Sequence, residues 1–132
     1  MLQALVVDDD QEIRDALRAV LVDEGYAVAV AHSGAEALAM LRQMPAPVVV
    51  LFDYLMPAGD GLHLLASVAE DATLQRGHAY VCLAARPRQM LPAPFIALMD
   101  RLDVPFVAKP FDLQTVLTIV DASARRLSAG PP

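Results

Sequence analysis

Asp8, Asp9, Asp53 and Lys109 are the residues whose types and positions suit chemistry. Three carboxylates gathered at one point repel one another unless a cation lies among them. A hard divalent ion with oxygen ligands meets that need. Magnesium suits it best, because it takes one or two carboxylates, keeps waters and leaves positions for phosphate oxygens; manganese is the alternative ion. A carboxylate is a weak nucleophile, yet with cation and ammonium neutralising the oxygens of an incoming phosphoryl group it can form an acyl phosphate. Lys109 is the one lysine among ten basic residues, the rest being arginine. Its compact ammonium is a mobile point charge, physically unlike a planar guanidinium. Pro110 bends the chain directly after it, and a cis bond there would aim the lysine inward.

Short apolar runs alternating with helical periods position these groups. Strands are expected over residues 2–7, 26–31, 47–52, 79–83 and 104–108. Between them Ile13, Leu17, Val20 and Leu21 recur at helical steps until Gly25 closes the helix. Ser33 can cap the next helix, with Glu36 as capping-box partner and Ala37, Leu38 and Leu41 as its stripe. A third helix is expected over 62–70, and Asp112 caps a last one carrying Leu113, Val116, Leu117 and Val120. Pro87, Pro92 and Pro94 exclude a regular helix before Pro94, itself a good first-turn residue.

Five strands alternating with about five helices imply an α/β fold with a parallel sheet covered on both faces. In such sheets ligands gather at the carboxyl ends of the strands. Asp8 and Asp9 follow the first strand, Asp53 ends the third and Lys109 follows the fifth. Asp53 is the acid delivered by a strand apolar on both faces, which fixes its position most rigidly.

A net charge of −6 is the wrong sign for a nucleic-acid phosphate backbone. No apolar run approaches the ~20 residues of a membrane span, and the amino terminus lacks the positive region of a secretory signal. A single cysteine, Cys82, makes no internal disulfide, so a cytoplasmic location is expected. Residues 1–127 read as one domain and 128–132 as a disordered tail or linker stub.

Leu5-Val6-Val7-Asp8-Asp9-Asp10, the stretch from Asp53 through Pro57 to Gly61, and Lys109-Pro110-Phe111 are similar to the receiver domain of two-component response regulators. The similarity covers nearly the whole chain. It implies a flavodoxin-like, doubly wound five-stranded parallel sheet in the order 2-1-3-4-5. It also implies a phosphoacceptor at Asp53, a metal site of Asp8, Asp9, Asp53 and the Leu55 backbone carbonyl, and a phosphoryl contact from Lys109. The implied donor is a histidine kinase or phosphotransfer protein. The implied output is docking of another protein on the face of the fourth helix, fifth strand and fifth helix, by a monomer or weak dimer.

The chain departs from that pattern where a Thr or Ser normally ends strand four. Ala84 stands there, and a shift of one residue offers only Ala85. Phe106 occupies the place of the switch aromatic that such a hydroxyl draws inward, so this coupling is in question. The departure favours an alternative: a binding module of the same fold that works without phosphorylation. A haloacid-dehalogenase-type phosphatase is disfavoured, since its general acid lies two residues after the nucleophile, where this chain has Leu55. A flavin binder is disfavoured because Asp8-Asp9-Asp10 would repel its phosphate.

Overall fold

The computed structural model describes residues 2–44, 47–56 and 61–129. Residues 57–60, within the stretch that carries the resemblance, and Gly130–Pro132 of the expected tail lie outside them. The strands are β1 (Gln3–Val7), β2 (Ala27–Ala31), β3 (Val48–Asp53), β4 (His78–Ala84) and β5 (Phe106–Ala108). The helices are α1 (Gln11–Asp23), α2 (Gly34–Leu41), α3 (Gly61–Ala69), α4 (Ala72–Gly77), α5 (Ala93–Arg101) and α6 (Leu113–Ala129). All strand pairs are parallel, in the order β2-β1-β3-β4-β5. This is the order that the resemblance implied.

Period-two alternation divides the core into two layers. Leu5, Val7, Val50 and Phe52 pack on one face of the sheet with Leu38, Leu65 and Phe95 from α2, α3 and α5. Val6, Leu51 and Val107 pack on the other with Leu17, Leu21, Val116 and Val120 from α1 and α6. The six residues of β3 are buried, as a central strand covered on both sides requires.

Local chemistry sets the element ends. Gly25 follows α1 at φ +102°, a left-handed conformation that glycine adopts without a Cβ penalty. The Ser33 hydroxyl accepts from the Glu36 amide, so half of the expected capping box forms, whereas the Glu36 carboxylate lies 3.3 Å from His32 Nδ1. Asp112 Oδ1 accepts from the Gln114 amide at the start of α6. Pro94 sits in the first turn of α5, preceded by a 3₁₀ turn over Arg88–Met90.

The short α4 is a sixth helix beyond the five expected. Asp71 caps it, accepting from the amides of Thr73 and Leu74, and its six residues, fewer than two turns, are too few to show an amphipathic period. α6 runs two residues past the expected boundary at Leu127.

Candidate functional site

The β1–β3 register pairs Val7 with Phe52, so the residues that follow, Asp8 and Asp53, emerge side by side at the carboxyl edge. Val6, Leu51 and Val107 share one face of the pleat. Two residues further along each strand path stand Asp8, Asp53 and Lys109, directed to that same face. Lys109 belongs two strands away from Asp53, beyond β4, and its amide donates to the Ala84 carbonyl at 2.7 Å. Its long stem crosses the strand end, and Nζ donates to Asp8 Oδ2 at 2.9 Å and to Asp53 Oδ2 at 3.1 Å. The Lys109–Pro110 bond is cis.

Asp8 is fully buried and Asp53 is 9% exposed, whereas Asp9 is open to solvent. Each offers a carboxylate oxygen within 4.8 Å of the others. The acids of the Asp8-Asp9-Asp10 run have different tasks. Asp10 caps α1, accepting from the amides of Glu12 at 2.9 Å and Ile13 at 3.4 Å. Its own amide donates to Asp8 Oδ1 at 2.9 Å, and Arg14 Nη1 donates to the Asp8 carbonyl at 2.7 Å. Helix α1 thereby clamps Asp8 from both sides. Neither the Asp10 cap nor the Arg14 contact was part of the sequence reading, although Asp before a helical period is itself a capping signal.

Burial pushes the Asp53 carboxyl above the usual carboxylate range; Lys109 pulls it down and Asp8 pushes it up again. Burial by itself would lower Lys109, but its bonds and attractions to Asp8 and Asp53 more than offset this and hold it above its ordinary value. The lysine stays charged. One ammonium among three carboxylates leaves the cluster short of positive charge, and three convergent oxygens suit a hard divalent cation. The residues present fit the expected ion.

Leu55 follows Asp53 with its side chain 53% exposed, and its amide donates weakly to Asp53 Oδ1 at 3.4 Å. Gly61 packs against this turn: its amide donates to the Tyr54 carbonyl at 2.7 Å, and a Cβ there would lie 2.8 Å from the Tyr54 Cα. Ala84 is buried at the end of β4 and lines a cleft of about 110 Å³ beside Asp53. Phe106 pairs with Cys82 across β4–β5 and is half-buried, so it is neither fully core nor fully free.

His32 and His78 lie outside this cluster. His32 meets Glu36 on the surface, and His78 is buried in β4, where Nδ1 accepts from the Val48 amide at 3.1 Å. Cys82 is buried and free, its thiol pushed up by burial. Met99 is buried in the core, while Met90 is 67% exposed. Among the described residues no helix is long and apolar enough to cross a membrane.

Comparison with known proteins gives a consistent result. Residues 4–121 match the Response regulator receiver domain family. Response regulator MprA of Mycobacterium avium (strain 104) is 34% identical over 128 residues, covering 95% of this chain and 52% of that protein. MprA of Mycobacterium tuberculosis (strain H37Rv) is 33% identical over the same length. The chain spans about half the length of these curated relatives. A CheY-like response regulator receiver domain protein from Methanospirillum hungatei JF-1 superposes with a TM-score of 0.83 at 28% identity, covering 96% of this chain and 97% of that one. A receiver domain protein from Clostridium thermocellum, 22% identical, has the same fold with a TM-score of 0.82 over 98% of both chains.

Proposed function

The chain belongs to the response regulator receiver domain family of two-component signalling, and from that premise we propose that Asp53 is its phosphoacceptor. The observation that carries this reading is the Lys109 ammonium held between Asp8 and Asp53, with three carboxylate oxygens within 4.8 Å of one another. One Asp53 oxygen attacks phosphorus while the donor's bond to phosphorus breaks and its electron pair leaves with the donor. Lys109 is placed to meet the phosphoryl oxygens as charge builds on them. Asp8, Asp9, Asp53 and the Leu55 carbonyl would hold Mg²⁺ or Mn²⁺, which when bound neutralises phosphoryl and carboxylate charge together.

The donor is a phosphohistidine on a histidine kinase or phosphotransfer protein, the class of partner that a receiver domain implies. The output is docking of a further protein on the face of α5, β5 and α6, with half-buried Phe106 on its edge strand. Intact-mass spectrometry after incubation with magnesium and acetyl phosphate tests the assignment. A gain of one phosphoryl group, absent in Asp53→Asn, is expected. No gain from small donors or from a phosphorylated histidine partner would overturn it. That result would leave the phosphorylation-independent module, which the absence of a hydroxyl at Ala84 favours.

A further inference from the structure

The cleft beside Asp53 has a wall that the chemistry above leaves unused. Ala84 and Ala85 bring only methyl groups to it, Leu55 and Leu91 are aliphatic, and Arg86 is its cation. Neighbouring Arg88 is engaged by Asp100. Arg86, by contrast, is exposed and has no ion-pair or hydrogen-bond partner among the described residues. An arginine that lines an anion's site, with its side chain engaged by no other described residue, is free to close on that anion.

The charge balance of the reaction asks for such a group. When Asp53 Oδ bonds to phosphorus and the donor leaves with its electron pair, the carboxylate gives up its one negative charge. The phosphoryl group now attached carries about two. The site therefore ends roughly one charge more negative than it began. Lys109 brings a single charge, which it must share between buried Asp8 and the phosphoryl oxygens, and supplies no second one. The 110 Å³ cleft exceeds the ~10–15 Å³ that one water requires, so it has room for phosphoryl oxygens.

Resting on the phosphoacceptor reading of Asp53, we propose that Arg86 closes over the phosphorylated side chain and holds its oxygens, on the wall where Ala84 and Ala85 carry no hydroxyl. The planar fork of arginine suits this task, since it can donate two parallel bonds to one oxyanion. Arg86 thus favours the phosphorylated state and has no part in binding the metal.

Beryllofluoride, a non-covalent phosphoryl mimic that likewise adds one negative charge at Asp53, separates these roles. Its affinity in magnesium is measured for the native chain, Arg86→Gln and Arg86→Lys, alongside the magnesium affinity of each without it. Arg86→Gln is expected to weaken beryllofluoride about tenfold, the scale of one hydrogen bond to a charged group. Arg86→Lys should lose less, and magnesium affinity and melting temperature should not move. Equal beryllofluoride affinity in Arg86→Gln would overturn the proposal, and so would a parallel fall in magnesium affinity. If the native chain neither gains a phosphoryl group nor binds beryllofluoride, the Asp53 reading itself falls, which is visible without any Arg86 variant.

Discussion

Lys109 Nζ lies 2.9 Å from Asp8 Oδ2 across 101 residues of sequence, a contact that ties the last strand to the first. Asp8 is fully buried, and this ammonium is its ion-pair partner. Lys109→Met would leave that carboxylate unpaired, and removing one partner of a buried pair costs ~3–5 kcal/mol. Urea unfolding without divalent ions should show a loss of this order. Added magnesium should restore much of it, by placing positive charge among the same carboxylates. A loss that magnesium leaves untouched would argue that the lysine acts mainly through its packing.

Asp10 should prove separable from its two neighbours. As the cap of α1 it satisfies two helix amides, so Asp10→Ala should cost ~0.5–2 kcal/mol and Asp10→Asn far less. Asp9→Ala should do the reverse, with little effect on the melting temperature and a marked loss of magnesium affinity. The two measurements together distinguish cap from ligand.

Gly61→Ala should damage the site without touching an acid. A Cβ would stand 2.8 Å from the Tyr54 Cα and 3.1 Å from the Asp53 carbonyl, both backbone atoms that cannot swing away. Overpacking of this kind costs ~1–3 kcal/mol. Because the displaced backbone is that of Asp53 and Tyr54, acyl phosphate formation should fall further than stability does. An unchanged phosphorylation rate in a destabilised variant would show that the turn yields elsewhere.

His78 should make stability sensitive to mild acid. Burial lowers its pKa below the ordinary value of 6.5, and Nδ1 needs its lone pair to accept from the Val48 amide. The unfolded chain therefore binds the proton more readily than the folded one. Stability from neutral His78 is complete above pH ~6.5 and is lost as pH falls toward the depressed folded value. His78→Asn keeps an acceptor and removes the titration. Its unfolding free energy should change less between pH 7.5 and pH 5.5 than that of the native chain; equal slopes would assign the effect to other groups.

The sequence by itself determined the alternation of five strands with helices, the parallel sheet and the identity of the acidic cluster. Strand runs, helical periods and the caps at Ser33 and Asp112 are local patterns, and for a parallel sheet they lead directly to the carboxyl edge where Asp8, Asp53 and Lys109 meet. It did not distinguish Asp10 from Asp9, reveal the six-residue α4, or show that Arg14 holds the Asp8 carbonyl. Three successive acids offer the same capping signal at three positions, a six-residue helix carries no period, and the Arg14 contact depends on how α1 seats against the strand end. Only the tertiary structure decided that Lys109 serves two carboxylates at once, that His78 is a buried acceptor, and that Arg86 shares a cleft with Asp53. Each is a contact between residues distant in the chain, set by strand register and side-chain reach rather than by neighbouring sequence.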